Sequence, residues 1–230
     1  MGKTISYQRP DGKSVEGYLA EPAGGSNAPG IVVIQEWWGL NDQIRGVADT
    51  LASQGYRALV PDLYRGQSAL DAHEAEHLMK GLDFADAASQ DIAGAVAHLH
   101  GSGSAKVGVT GFCMGGALTV LSSVFAKGID AAVVWYGCPP LDYVDAAKIT
   151  APLMGHWALE DTAFPIMLVD GLEKKLTAAG IPYEFHRYQA KHAFANEQAD
   201  AKGLEFLKYD AKCAELAWQR THAFLARHLR

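Results

Sequence analysis

The chain has 230 residues, 49% of them hydrophobic, and a formal net charge of −6. A chain of this size and composition is expected to form one domain, residues 1–230, with a sizeable core. The mildly acidic balance argues against nucleic acid or an anionic membrane as a partner, and no segment approaches the roughly 20 apolar residues of a membrane span. The three cysteines, Cys113, Cys138 and Cys213, lack paired spacing, so we expect reduced thiols and a cytoplasmic protein without a signal peptide.

The first elements are two extended segments, around Thr4–Gln8 and Ser14–Leu19, on either side of Pro10-Asp11-Gly12. Turn residues between extended runs predict a β-hairpin. Short apolar runs then predict six buried strands, Gly30–Gln35, Tyr56–Val60, Val107–Thr110, Ala131–Tyr136, Pro152–His156 and Tyr183–Tyr188. Apolar residues at helical spacing predict helices over Asp42–Gln54, Gln90–His100, Ala117–Ala126, Pro165–Ala179 and Asp210–His228.

Three details refine these elements. Asn41 is the expected N-cap of the first helix, and Gly180 is expected to end the helix that Pro165 opens. In the last helix the expected inward residues are Leu216, Ala217, Phe224 and Leu225. Strands that alternate with helices imply right-handed βαβ units, so the predicted fold class is α/β, a mostly parallel sheet with helices on both faces and the hairpin as an antiparallel edge.

The strongest local motif is Gly111-Phe112-Cys113-Met114-Gly115-Gly116, between a predicted strand and a predicted helix. A strand, a sharp glycine-lined turn and a helix are the context of a nucleophile elbow. The residue at the apex is lifted into the site, and the positive end of the following helix favours a thiolate. We therefore interpret Cys113 as a nucleophile, although a small buried thiol beside a tight turn would give the same sequence.

A cysteine nucleophile needs a base, and the base needs an orienting acid. In elbow hydrolases the chain order is nucleophile, acid, histidine. His192 follows the last predicted strand, which is where such a histidine belongs. Two acids, Glu160 and Asp161, follow the strand Pro152–His156. We choose Asp161 because Pro165 begins a helix shortly afterwards and the turn should present Asp161, but the adjacent Glu160 stays a competitor.

Another acid, Glu36, follows the apolar strand Gly30–Gln35 directly. A carboxylate at the end of a buried strand is costly unless it has a partner or a function, although a loop or helix-capping acid is the ordinary alternative. We expect its side chain within hydrogen-bond reach of Cys113 or His192. The aromatic residues near strand ends, Trp37, Trp38, Trp135 and Tyr136, are by default core residues, although some are also candidates for a pocket lining. Trp38 and Phe194 are the candidates for substrate binding.

Taken together, these segments resemble the dienelactone hydrolase family. The matching stretches are IVVIQEWWGL, YRALVPDLYRG, KVGVTGFCMGG, WYG and HAFAN, and they follow the family's order from about Gly17 to Phe224. The resemblance implies an eight-stranded α/β-hydrolase domain that opens enol-lactones, with Cys113, Asp161 and His192 as triad. It maps Glu36 onto the acid that interacts with the resting thiol in the family's proposed mechanism. It also places the oxyanion hole at the backbone N–H groups of Met114 and Trp37.

The sequence departs from the family at two carboxylate-binding arginines. Four positions after the triad histidine it has Asn196 in place of an arginine, and Ala193 replaces the serine directly after the histidine. In Ser68–Phe84, where the second arginine is expected, Lys80 is the only lysine or arginine. Asn196 remains a candidate substrate-binding residue by position, and the natural substrate stays open.

The function predicted from the sequence is hydrolysis of an ester or lactone through a Cys113 thioester. The alternatives are a general carboxylesterase or thioesterase with the same triad, or a non-catalytic domain that uses Cys113 as a redox switch. We expect a small-molecule substrate, no cofactor, no metal, no nucleic-acid or membrane partner, and a monomer or small homo-oligomer. His73 and His77 have metal-binding spacing on a helix, but with Glu74 and Glu76 between them they are more simply a solvated face.

Overall fold

A computed structural model describes residues 2–25 and 27–230, which form one eight-stranded sheet flanked by helices. The strands are β1 Lys3–Gln8, β2 Ser14–Ala20, β3 Gly30–Ile34, β4 Arg57–Pro61, β5 Val107–Phe112, β6 Ala131–Trp135, β7 Leu153–Ala158 and β8 Tyr183–Tyr188. The helices are α1 Asp42–Ser53, α2 Ala72–Gly81, α3 Phe84–Asp86, α4 Ala93–Gly101, α5 Met114–Phe125, α6 Ile166–Ala179 and α7 Ala211–Leu229. A π-helical turn, Ala87–Ile92, joins α3 to α4, and short 3₁₀ turns cover Leu141–Tyr143, Ala146–Lys148 and Asp200–Lys202.

The strand order across the sheet is β1-β2-β4-β3-β5-β6-β7-β8. β2 pairs antiparallel with both of its neighbours, and every other pairing is parallel. The predicted mostly parallel sheet with an antiparallel hairpin at one edge is therefore confirmed. The chain order reverses at β3, which lies between β4 and β5, and in open α/β sheets ligands bind outside the carboxyl ends of the strands near such a point.

Both faces of the sheet are covered, as predicted. Alternate residues of the buried strands point to opposite faces, so that Ile31 and Val33 pack with α1 and α7 while Val32 and Ile34 pack with α4 and α5. Near β6 and β7 a third cluster packs between the sheet and α6. Continuous apolar strands thus supply core on both sides, and the chemistry is left to the loops at the strand ends.

The helix ends follow from local chemistry. Asn41 caps α1 by accepting a hydrogen bond from the backbone N–H of Ile44 at 3.1 Å. Gly180 ends α6 in the left-handed conformation, with a φ of 68°. No helix in residues 2–25 and 27–230 is long and apolar enough to cross a membrane.

Two sequence expectations about helices are wrong. The helix predicted over Gln90–His100 extends back to Phe84, because a π turn lets the chain continue through a change of hydrogen-bond register that apolar spacing does not reveal. In α7 the side chain of Leu216 is exposed, whereas Ala217, Phe224 and Leu225 are buried. One helical position turns a side chain by about 100°, which carries Leu216 off the inward face.

Candidate active site

Five loops bring polar or reactive side chains to the carboxyl edge of the parallel strands. One such loop follows each of the five strands β3, β5, β6, β7 and β8. The residues that these loops carry are, in the same order, Glu36, Cys113, Tyr136, Asp161 and His192. The site is therefore assembled from residues far apart in sequence that share one edge of the sheet.

Cys113 lies at the apex of a tight turn between β5 and α5. Its backbone has a φ of 56° and a ψ of −118°, a conformation that costs a non-glycine residue about 1–3 kcal/mol. The turn is held by a hydrogen bond from the Cys113 backbone N–H to the carbonyl of Trp135 at 3.0 Å. A Cβ at Gly115 would lie 2.5 Å from the carbonyl oxygen of Ile34, so only glycine lets α5 approach β3 this closely. The strained backbone leaves the Cys113 side chain partly exposed at the site.

His192 and Asp161 form a buried pair beside this turn. His192 Nδ1 is 2.7 Å from Asp161 Oδ2, and the exposed fractions are 1% and 8%. The other carboxylate oxygen of Asp161 accepts backbone N–H groups from Ala163 and Phe164, both at 2.8 Å. The carboxylate is thus fixed from two sides and orients the histidine ring.

Glu160, the competing acid, points elsewhere. It is exposed, and its Oε1 accepts a hydrogen bond from Gln189 Nε2 at 2.6 Å. The geometry therefore places Asp161, and not its neighbour, next to His192.

The surroundings of His192 favour its protonated form. Burial by itself lowers the pKa of His192, but the charges of Cys113 and Asp161 and hydrogen bonds to both outweigh burial and raise the pKa to about 10. His192 is therefore suited to carry a proton at neutral pH. Cys138 lies elsewhere, in the apolar cluster beside α6, where burial raises the pKa of its thiol to about 12.

Glu36 is buried at the end of β3, and its hydrogen bonds differ from those expected. Asn196 Nδ2 donates to Glu36 Oε2 at 2.7 Å, and the Tyr136 hydroxyl donates to Oε1 at a long 3.4 Å. Within the described part of the chain, Glu36 has no hydrogen bond to Cys113 or His192, so the expected contact is wrong. Burial raises the pKa of Glu36, while the nearby charge of His192 and the two donors act in the opposite direction.

The predicted substrate-lining residues are largely enclosed. Asn196 is buried and its amide is bonded to Glu36, and Phe194 is fully buried among Tyr136, Tyr188 and other aromatic rings. Both residues are as closed off from solvent as His192 itself, and their contact with a substrate stays a prediction. Trp38 is also buried, and the ammonium group of Lys202 lies 4.1 Å from the centre of a Trp38 ring.

The two predicted oxyanion donors occupy suitable backbone positions. Met114 is the first residue of α5, where a helix leaves its N–H groups without intrahelical acceptors. Trp37 follows Glu36 in the turn after β3, and among the described residues its N–H donates no hydrogen bond to another backbone or side-chain group. The backbone of both residues therefore has hydrogen-bonding capacity to spare.

Two tyrosines lie near the site; the sequence marked Tyr136 only as a core or pocket-lining aromatic, and Tyr64 was not among the predicted site residues. Tyr136 is buried with a φ of 37°, bonds to Glu36 and lies edge-on to the His192 ring at 5.3 Å. Tyr64 donates its hydroxyl to the sulfur of Met114 at 3.3 Å, and burial followed by the nearby Cys113 charge raises the pKa of Tyr64. Both follow the carboxyl end of a parallel strand, and that position was the signal available in the sequence.

His73 and His77 lie on α2. In residues 2–25 and 27–230 no group of three or more histidine, cysteine, aspartate or glutamate side chains is arranged to hold a metal ion.

Comparison with known proteins agrees with this architecture. The sequence profile described as "Dienelactone hydrolase family" matches residues 15–229. Protein usf of Aquifex pyrophilus is 33% identical over 239 aligned positions, which cover 100% of both chains. A protein of Aquifex aeolicus named "Putative carboxymethylenebutenolidase" is 30% identical over 240 positions, with the same coverage. A crystal structure titled "Putative Dienelactone Hydrolase" from Klebsiella pneumoniae has a TM-score of 0.82 and 27% identity, over 99% of each chain.

Proposed function

The chain belongs to the dienelactone hydrolase family, hydrolases of ester and lactone bonds with the α/β-hydrolase fold, and we propose that it cleaves its substrate through a thioester on Cys113. His192 is the proposed acid and base, and Asp161 orients it. Backbone N–H groups of Met114 and Trp37 are the proposed oxyanion donors. The observation that carries the proposal is the buried 2.7 Å contact between His192 and Asp161 beside a strained Cys113.

In the first half-reaction the Cys113 thiolate attacks the carbonyl carbon, and the carbonyl electrons move onto oxygen. Fixed N–H donors stabilise that oxyanion, a contribution of roughly 10²–10³ in rate per donor. When the intermediate collapses, the bond to the leaving oxygen breaks and the imidazolium of His192 donates its proton to that oxygen. The products are a thioester and an alcohol or enol; in a lactone both stay in one molecule.

In the second half-reaction neutral His192 takes a proton from water as the water oxygen attacks the thioester. The carbon–sulfur bond then breaks and releases the carboxylic acid. Cys113 leaves as a thiolate beside the protonated histidine, which restores the starting pair. The sum is one ester bond and one water converted into an acid and an alcohol, without a redox change.

The environment of the site favours neutral, activated substrates. A thiolate is suited to enol-lactones, aryl esters and thioesters, whose leaving groups are good. The position that carries an arginine in the family holds Asn196, whose amide is bonded to Glu36. That observation favours a general carboxylesterase or thioesterase activity over an activity that requires a carboxylate on the substrate.

The proposal is tested with p-nitrophenyl acetate and a panel of enol-lactones. We expect hydrolysis by the wild type, loss of at least about 10³-fold in Cys113→Ala, and near-normal rates in Cys138→Ala and Cys213→Ala. Comparable losses in all three variants would contradict the choice of nucleophile. A redox sensor predicts instead that the folded wild type forms a reversible oxidised thiol and turns over no ester or lactone.

A further inference from the structure

We infer that Asn196 is a positioning residue, which holds the Glu36 carboxylate away from Cys113 so that the thiol pairs with His192 and is reactive before any substrate binds. This inference rests on the proposed function, because it assumes that Cys113 is the nucleophile. It differs from the arrangement implied by family resemblance, in which the acid interacts with the resting thiol. The asparagine that stands here where the family is expected to have an arginine would then have a function of its own, to position Glu36.

The first step is the orientation of the Asn196 amide. Its Oδ1 accepts the backbone N–H of Gln198 at 2.9 Å, which only an oxygen can do. The NH₂ group must therefore face the other way, toward Glu36 Oε2 at 2.7 Å. Hydrogen bonds from the Asn196 N–H to Ala193 and from the Ala199 N–H to Asn196 fix the backbone around it. The surrounding backbone therefore fixes the direction of the Asn196 NH₂ group toward Glu36.

The second step is the need of Glu36 for this donor. The carboxylate is 4% exposed, so water does not replace a lost partner easily. Its only other hydrogen bond in the described part of the chain is the 3.4 Å contact with Tyr136. An unsatisfied buried carboxylate is strongly disfavoured. Without the amide of Asn196, the long bond from Tyr136 is the only hydrogen bond left to the carboxylate in the described part of the chain. We therefore expect Glu36 to turn toward the other proton donors of the site, His192 and the Cys113 thiol.

The third step is the charge balance. The charged and titratable groups around Glu36 are His192, Tyr136 and Lys202, and those around Cys113 are His192, Tyr64 and Tyr136. A thiolate–imidazolium pair is net neutral, so a carboxylate held at its present place repels one partner and attracts the other. The two effects therefore oppose each other. A carboxylate hydrogen-bonded to the sulfur instead favours the neutral thiol, because like charges in contact disfavour the second anion.

The experiment measures alkylation of the substrate-free enzyme by iodoacetamide from about pH 5 to about pH 9, where neutral and ionised thiols differ in reactivity. A Cys213→Ala background removes the other partly exposed thiol, and Cys113→Ala gives the blank. Asn196→Leu keeps the side-chain size but has no donor. We expect alkylation of this variant at about pH 7 to be roughly tenfold slower, with the midpoint of the pH profile moved to higher pH.

The control is a double-variant cycle with Glu36→Gln, which removes the charge. Alone, Glu36→Gln should change the alkylation rate less than about threefold, because the held carboxylate acts on a neutral pair. Added to Asn196→Leu, it should restore the rate to within about threefold of Glu36→Gln alone. If Asn196→Leu fails to fold, Asn196→Ser replaces it, since its hydroxyl can still accept from Gln198 but is too short to reach Glu36.

Two outcomes overturn the inference: a donor-less variant alkylated like the wild type at every pH, or a double variant as slow as Asn196→Leu alone, which indicates disturbed packing. Failure of the proposed function is a separate result. It would be seen as a wild type that turns over no ester or lactone while its alkylation still follows the cycle described.

Discussion

At the scale of single residues, His192 is the group whose charge decides the chemistry. Its raised pKa of about 10 means that the imidazolium is present below that pH and is lost as the pH rises through it. We expect kcat/KM to be flat from about pH 7 to about pH 9 and to fall above about pH 10 as the proton for the leaving group is lost.

The check is a pH–rate profile with a neutral aryl ester, corrected for the hydrolysis of the ester by buffer alone. A rate that climbs between about pH 6 and about pH 7.5 would contradict this expectation. Such a limb would mean that His192 loses its proton near its ordinary value and acts on a neutral thiol.

The adjacent acids Glu160 and Asp161 give a matched pair of variants. Asp161→Asn keeps the shape but presents the wrong hydrogen-bonding group to His192 and should lower kcat by about 10⁴-fold, if the precedent of serine proteases holds. Glu160→Gln should stay within about threefold of the wild type, because the Glu160 carboxylate is exposed and accepts its hydrogen bond from Gln189 at the surface. The reverse ranking in steady-state kinetics would identify Glu160 as the orienting acid.

The sequence was sufficient to place Cys113, Asp161, His192 and Glu36 at one sheet edge, because each follows a recognisable strand. It was not sufficient to predict where the side chains of the loop after β8 point. Ala193 has a φ of 58° and turns the chain there, which buries Phe194 and aims Asn196 at Glu36. Such a turn depends on tertiary contacts, and an alanine is not a turn-forming residue from which it could be predicted.

At the scale of elements, the opening hairpin is tied to the π-helical turn by a buried charge cluster. Asp91, 1% exposed in that turn, pairs with Arg9 at 3.3 Å and with Arg65 at 2.8 Å. The Tyr7 hydroxyl also donates to the Asp91 carbonyl. Because Arg65 follows Tyr64, the cluster joins the hairpin, the turn and the loop that brings Tyr64 against Met114.

Removal of the central charge should therefore destabilise the fold. Asp91→Asn removes a negative charge that pairs with the buried guanidinium of Arg9. We therefore expect the free energy of unfolding, measured in urea, to fall by about 3–5 kcal/mol. The matched control is Asp86→Asn, which removes a 2.7 Å partner of the same arginine from an exposed site and should cost no more than about 1 kcal/mol. Equal losses in the two variants would mean that burial of Asp91 does not set its contribution.

At the scale of the whole molecule, the alternation of strands and helices was enough to predict the parallel sheet and its antiparallel edge. The strand ends match within one or two residues, because buried parallel strands are continuous apolar runs. The alternation of strands and helices along the chain does not predict the order of the strands across the sheet. The reversal at β3, which sets the end of β3 next to the end of β5, is a property of the assembled sheet.

The net charge of −6 belongs to the molecule as a whole and should affect how substrates of different charge approach it. A negative surface repels anionic substrates over a Debye length, and the arginines that bind a carboxylate in the family are absent from the matching positions. We therefore compare p-nitrophenyl esters of a neutral acyl chain and of an equally long chain that ends in a carboxylate. At low salt the neutral ester should have a kcat/KM roughly tenfold higher.

The dependence on salt separates the surface field from contacts inside the site. When ionic strength rises from about 0.01 M to about 0.15 M, the Debye length falls from ~30 Å to ~8 Å, and kcat/KM for the anionic ester should rise while that for the neutral ester stays constant. Since both esters share one leaving group, a change in the chemical step would move both. An anionic ester that is preferred at low salt would contradict the expectation and would indicate a cation at the substrate site, for which Lys202 beside Trp38 is the first variant to make.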